Sequence, residues 1–136
     1  MRKPIYSKTM KKLTQAEEEI MQKLWQLERA LVKDVQNLFP DPKPNYNTVA
    51  TVLKVLEKKG FVSHKTYGTT YEYYPLVLKD EYARAQLGDF ARSYFNDSFP
   101  KLAACFIQDK NMSVKEMDDL LKTLEMEIKK TKSSHE

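Results

Sequence analysis

The chain has 136 residues, 31% of them charged, a net charge of +4, a single cysteine and two histidines, which allows one ordinary domain, or a small domain with an oligomerisation segment. One cysteine, Cys105, excludes an intrachain disulfide framework, and His64 and His135 have no Cys or His at ligand spacing, so neither a metal nor another cofactor is expected. No apolar run reaches the roughly 18–20 residues of a membrane span, and the basic start MRKPIYSKTMKK is not followed by the apolar stretch of a secretory signal, so a cytoplasmic protein is expected.

The positive excess is uneven. Residues 1–75 hold 13 Lys and Arg against 8 Asp and Glu, whereas residues 76–136 hold 10 against 11. That is mild support for an anionic partner of the first part.

Residues 1–12 read as a basic, poorly ordered arm. Structure is predicted to begin at Leu13-Thr14, where Thr14 and Glu17 form the T-x-x-E pattern of a capping box. The helix that follows carries Ala16, Ile20, Leu24 and Leu27 on one side, and should end near Glu28-Arg29. Residues 31–39, with Val32, Val35, Leu38 and Phe39 at helical spacing, read as a short second helix. Pro40, Pro42 and Pro44 then impose a rigid loop.

In residues 45–59, Val49, Val52, Leu53 and Leu56 recur at i, i+3, i+4 and i+7, the mark of an amphipathic helix. Asn45 or Asn47 can cap it, and Gly60 supplies the left-handed residue that ends it. Residues 61–67 and 70–74 are aromatic and β-branched, and their Gly68-Thr69 link suits a type II′ hairpin. Helix, helix, helix and hairpin within about 60 residues is the winged form of the helix-turn-helix. The fold expected is mainly α with a small β-hairpin wing, the winged helix-turn-helix occupying 13–77.

A second region, 78–131, is expected beyond the Pro75–Leu78 corner, with a frayed tail at 132–136. Ala83, Leu87, Phe90, Ala91, Tyr94 and Phe95 form a broad apolar stripe, and Pro100 can open a short helix with Leu102, Ala103, Phe106 and Ile107. Ser113 and Glu116 make another capping-box pattern ahead of Leu120, Leu121, Leu124 and Ile128. So small a helical unit buries too little surface to offset chain entropy. Dimerisation through Leu87, Phe90, Tyr94, Leu102, Phe106, Leu120, Leu121 and Leu124 is the favoured resolution; folding back on the winged helix is the alternative.

Duplex DNA needs cations for its phosphates and short polar side chains for its base edges. On the third helix Asn47, Thr51, Lys54 and Lys58 share the polar face, with Thr48 beside them, while Lys65, Tyr67, Thr69 and Thr70 lie at or near the wing tip. These are the candidate DNA-binding residues; a solvated face is the plain alternative. Tyr71, Tyr73, Tyr74 and Trp25 fit packing better than base stacking, and Cys105 fits a buried position better than redox sensing. Catalysis is not expected, since no nucleophile with a placed base, Gly-rich phosphate loop or paired carboxylates occurs. A winged helix that binds another protein instead of DNA remains the competing class.

The stretches LTQAEEEIMQKLW, NTVATVLKVLEKKGFV, YEYYPLV and EYARAQLGDF resemble the penicillinase-repressor family of winged-helix transcriptional repressors (the BlaI, MecI and CopY type), over about residues 13–130. The resemblance implies a bacterial homodimer that binds a palindromic operator in double-stranded DNA, with a helical C-terminal dimerisation region and an antibiotic-resistance setting. It also implies a membrane-bound sensor protease as partner, cutting the repressor at an Asn-Phe bond; the matching bond here is Cys105-Phe106, with the Phe kept and the Asn replaced. Copper-responsive members carry a C-x-C pair that this chain lacks. Resistance repressors of the family tend to carry Arg between the threonines matching Thr48 and Thr51, where this sequence has Ala50.

Overall fold

Thr14 opens the first helix, α1 (Gln15–Leu27), with a reciprocal cap. Its hydroxyl accepts from the Glu17 N–H at 3.2 Å, and its own N–H donates to Glu17 Oε1 at 2.9 Å. These bonds satisfy amides that a helix start would otherwise leave open. The far end is less comfortable. Glu28 closes the helix at φ 70, donating its N–H to the Leu24 carbonyl at 2.8 Å, in backbone space that disfavours a side chain.

The computed structural model describes residues 12–109 and 112–134; apart from Lys12, the arm expected over 1–12 lies outside them. After α1 come β1 (Ala30–Leu31), α2 (Val32–Asn37), α3 (Tyr46–Lys58), β2 (Val62–Tyr67), β3 (Thr70–Pro75), α4 (Lys79–Tyr94), α5 (Phe99–Gln108) and α6 (Val114–Ser134). The second helix is thus shorter than the 31–39 expected. Ala30 and Leu31 instead pair antiparallel with Tyr73 and Glu72, giving a sheet of order β1-β3-β2. The Asp34 carboxylate accepts from the Leu31 N–H at 3.0 Å and fixes the strand-to-helix step.

The proline-rich loop, with a cis Asp41-Pro42 bond, delivers the chain to α3. Asn45 takes the N-cap backbone position, but no side-chain bond completes the cap. Val49, Leu53 and Leu56 point inward and are fully buried. Gly60, at φ 85, ends α3: its N–H reaches the Glu57 carbonyl at 3.0 Å and the Phe61 N–H reaches Leu56 at 2.9 Å. This paired arrangement is the Schellman closure, which a glycine at that position permits. Gly68, at φ 62, turns the hairpin, with Tyr67 opposite Thr70 and Val62 opposite Pro75.

The core of this part gathers Ile20, Met21, Leu24, Val35, Val49, Leu53, Leu56, Phe61, Val62, Tyr73 and Val77 from all its elements. Polar groups at its rim are satisfied. Trp25 Nε1 donates to the Val77 carbonyl at 2.8 Å, and the Leu13 N–H donates to the Tyr82 hydroxyl at 2.9 Å. The nearly buried Glu17 carboxylate accepts from Lys59 Nζ at 2.7 Å, tying the start of α1 to the end of α3.

The chain divides into two compact units, Met1–Leu87 and Gly88–Glu136. The division falls later than the Pro75–Leu78 corner because Tyr82, on α4, belongs to the first core, where it packs on Trp25 and Phe61 at 5.9 and 6.0 Å. Ala83, like Leu87, Phe90 and Tyr94 of the same stripe, is exposed.

In the second unit Ser98 caps α5, and Ser113 and Glu116 form the expected box before α6, at 3.0 and 3.1 Å. The Ser113 N–H, donating to the Glu116 carboxylate, together with the Ser113 hydroxyl, holds that carboxyl below its usual range. The tail expected to fray from 132 is helical through Ser134, whose hydroxyl donates to the Lys130 carbonyl at 2.9 Å. Lysines in its last turns also suit the negative end of the helix dipole. No helix among the described residues is long and apolar enough to cross a membrane.

Candidate nucleic-acid interface

With Val49, Leu53 and Leu56 buried, the opposite side of α3 must face solvent, and Asn47, Thr48, Thr51, Lys54 and Lys58 are all exposed there. The Thr51 hydroxyl donates to the Asn47 carbonyl at 2.8 Å, so its oxygen lone pairs are left to accept from outside the protein. Neither Lys54 nor Lys58 is paired with a carboxylate among the described residues, in contrast to Lys59 on the inner side. The helix therefore presents unneutralised charge on its outer face only.

An open groove of about 640 Å³ runs between α3 and the hairpin. Asn47, Ala50 and Lys54 form one wall, and Thr66, Thr69, Thr70 and Tyr71 form the other, with Lys33 of α2 at the margin. Four of the expected residues, Asn47, Lys54, Thr69 and Thr70, are thus brought together. Thr48, Thr51 and Lys58 share the helix surface but lie outside the groove walls, and Tyr67 is exposed near the wing tip.

Lys65 is separated from the group. Successive strand residues face opposite ways, and its neighbour His64 reaches Glu57 of α3. Lys65 accordingly lies on the other face, opposite Glu72 in register and beside Glu28 and Arg29 around a different depression.

Several groove residues were outside the candidate set, among them Thr66, Tyr71 and Lys33. Thr66 and Tyr71 pair across the hairpin on the same face as His64 and Tyr73. Counting outward from the Gly68-Thr69 turn would have found them. Lys33 had no such signal, since only the packing of α2 against α3 brings it near.

Tyr73 fills the core as expected; its burial, with Glu57, Tyr71 and Tyr46 nearby, pushes its phenol pKa up. Tyr71 does not simply pack: it is 43% exposed and stacks on His64 at 4.0 Å.

The candidate dimerisation residues divide in the same way. Leu87, Phe90, Tyr94, Phe106, Leu121 and Leu124 are exposed in the single chain, Leu120 is half-buried, and Leu102 is buried within it. Cys105 is exposed rather than buried, because α5 turns only Leu102 fully inward and nothing among the described residues covers the Cys105 side. Phe106 beside it is exposed too. No group of His, Cys, Asp or Glu side chains among the described residues could hold a metal ion.

Three helices, a short strand and a hairpin, with polar and cationic side chains outermost on the third helix, define a winged-helix transcription regulator. Residues 13–126 match the family model for penicillinase repressor, and the chain belongs to that family of repressors. The penicillinase repressor of Bacillus licheniformis is 26% identical over 120 residues, covering 85% of this chain and 94% of that protein. The methicillin resistance regulatory protein MecI of Staphylococcus aureus (strain N315) is 25% identical over 112 residues, covering 79% and 89%. Among solved structures, the DNA binding domain of the repressor BlaI is 27% identical, covering 54% of this chain and 94% of that one, with a TM-score of 0.46.

Proposed function

We propose that the chain represses transcription as a homodimer bound to palindromic operator DNA. Each α3 lies in a major groove, and each wing touches the flanking backbone or minor groove. The observation that carries this is the composite surface of α3 and the wing: Asn47, Thr51, Lys54, Thr69 and Thr70 are exposed together, and the lysine is unpaired among the described residues. A lysine that is not neutralised inside the protein can displace counterions from phosphate. Thr51, its hydroxyl proton turned to Asn47, acts as an acceptor and reads exocyclic amino groups of adenine or cytosine.

Ala50 lies in the groove wall, where a long cation would otherwise reach guanine or phosphate. The operator therefore differs from those of relatives carrying Arg there. The apolar faces of residues 87–128 meet those of a second copy, placing two reading helices about one DNA turn apart, roughly 34 Å. Relief of repression runs through cleavage of Cys105-Phe106 by a membrane-bound sensor protease. A fragment ending at Cys105, found by mass spectrometry after induction, would support that step; an intact chain in derepressed cells would exclude it.

The decisive experiment is selection from a random duplex pool followed by binding at several salt concentrations. A palindrome should emerge, and Lys54→Ala and Lys33→Ala should each flatten the logarithmic salt slope by about 1 while weakening all sequences alike. Thr51→Ala should instead change base preference at one position of each half-site. If no duplex is enriched, or if the charge removals leave affinity unchanged, the interface assignment is wrong.

A further inference from the structure

A polar side-chain contact joins α3 to the wing. His64, on β2, holds Nδ1 at 2.8 Å from Oε2 and 3.0 Å from Oε1 of Glu57, in the last turn of α3. An ionised carboxylate only accepts, so the contact places a proton on Nδ1. On its other side the His64 ring lies nearly parallel to Tyr71, with centroids 4.0 Å apart and planes at 17°. Buried Tyr73 sits beneath, 5.6 Å from His64 and edge-on to Tyr71 at 6.3 Å. A continuous line thus runs from α3 through β2 to β3, ending on a tyrosine that lines the groove.

Beyond this point the hairpin has little else to hold it. Residues 65–70 are all exposed, and a two-stranded ribbon has marginal stability alone. Where its tip stands relative to α3 depends on how its base is gripped. Glu57, one helical turn beyond buried Leu53, holds its carboxylate against His64.

We propose that Glu57 and His64 are positioning residues for operator reading. They lock the wing to the recognition helix, so that Thr69 and Thr70 engage DNA in fixed register with Asn47 and Lys54. Neither residue touches a base. The inference rests on the DNA-reading role proposed above for α3 and the wing.

The test uses the full chain and the selected operator duplex, with His64→Ala, Glu57→Ala, Glu57→Gln and a wing-tip variant combining Thr69→Ala with Thr70→Ala. Thermal unfolding and amide hydrogen exchange across the hairpin are measured without DNA. His64→Ala should weaken operator binding about tenfold and make the wing-tip changes nearly silent, the non-additivity expected of groups acting as a unit. Hairpin amides should exchange faster in His64→Ala and Glu57→Ala, and much less so in Glu57→Gln, whose amide oxygen still accepts from Nδ1. Glu57→Gln should likewise keep its operator affinity.

Additive effects of His64→Ala and the wing-tip change would overturn the proposal. So would equal damage from Glu57→Gln and Glu57→Ala, or His64→Ala that lowers only the unfolding temperature. If the unaltered chain shows no salt-dependent duplex binding, the DNA reading fails instead. Hydrogen exchange then still decides whether the pair holds the wing, and unchanged hairpin exchange in His64→Ala overturns that too.

Discussion

In residues 12–87 each of the first three helices turns an apolar face inward, with Met21, Leu24, Leu53 and Leu56 wholly buried although Leu78 and Leu87 stay exposed; in residues 88–134, Phe90, Tyr94, Phe106, Leu121 and Leu124 stand in solvent. Composition does not explain the contrast, because both parts show amphipathic helices with well-formed caps. What differs is the availability of partners. The first unit surrounds α3 with α1, α2 and a three-stranded sheet, while α6 buries none of its 21 residues. The first unit covers its own core, whereas the C-terminal helices leave wide apolar faces open. Leu121 and Leu124, 54% and 50% exposed, each give up on the order of 1 kcal/mol that full burial would supply.

The sharpest way to break that contrast is to charge the open face. Leu121→Asp combined with Leu124→Asp should turn a dimer into a monomer by light scattering and reduce operator affinity by about 100-fold or more through lost bivalency. Unfolding of the first unit should be unaffected. A wild-type chain that is already monomeric at micromolar concentration would refute the dimer directly.

A second pair of variants compares the two regions by the same truncation. Leu53→Ala should cost about 2–5 kcal/mol in denaturant unfolding. Leu121→Ala, under dilute conditions that keep the chain monomeric, should cost within about 0.5 kcal/mol. Equal costs would mean that α6 is covered within its own chain.

Glu17 probes the first unit alone. Burial raises its carboxyl pKa, but the Lys59 hydrogen bond, the Thr14 bonds and the Lys59 charge together outweigh burial and hold it below its ordinary 4.5. The folded state thus binds fewer protons than the unfolded chain near that pH, and the stabilisation is present above 4.5 and lost as pH falls through the lowered value. Glu17→Gln should cost about 1 kcal/mol at pH 7, a figure discounted because Lys59 is partly exposed. The gap between variant and wild type should close in acid; a constant gap from pH 7 to 3 would contradict the linkage. The smallest effect expected is at Glu28, whose φ of 70 suits glycine: Glu28→Gly should gain about 0.5 kcal/mol in thermal unfolding.

The elements legible in the sequence were those whose signals are local. Thr14 with Glu17, Ser113 with Glu116, Gly60, and the Gly68-Thr69 turn each act through hydrogen bonds or backbone space within a few residues, and each appears as expected. The strand Ala30–Leu31 was not legible, because two residues carry no period and Leu31-Val32 fit helical spacing equally well. The core role of Tyr82 was missed for a related reason. Tyr82 sits between Glu81 and Ala83 and lies off the predicted face, yet the Trp25 and Phe61 rings draw it into the core. In the candidate site, the polar face of α3 was readable from periodicity alone. That Lys65 leaves the group and Tyr71 joins it follows from hairpin parity, and the place of Lys33 from tertiary packing alone.

The closure at Phe61 gives the wing an unusual independence. The Phe61 carbonyl accepts from the Leu76 N–H at 2.8 Å and the Val77 N–H at 3.3 Å, so the two ends of the hairpin are tied at one spot. Val62 and Tyr73 at the hairpin base remain in the core, and only the exposed tip, residues 65–70, stands clear of it. Insertions at Gly68-Thr69 have open space to enter, and each doubling of the loop adds only about 0.6 kcal/mol of closure entropy. Wings of other lengths and chemistries could be grafted there, provided that the histidine near the base travels with the scaffold. A lineage could in this way retune its operators without rebuilding its core.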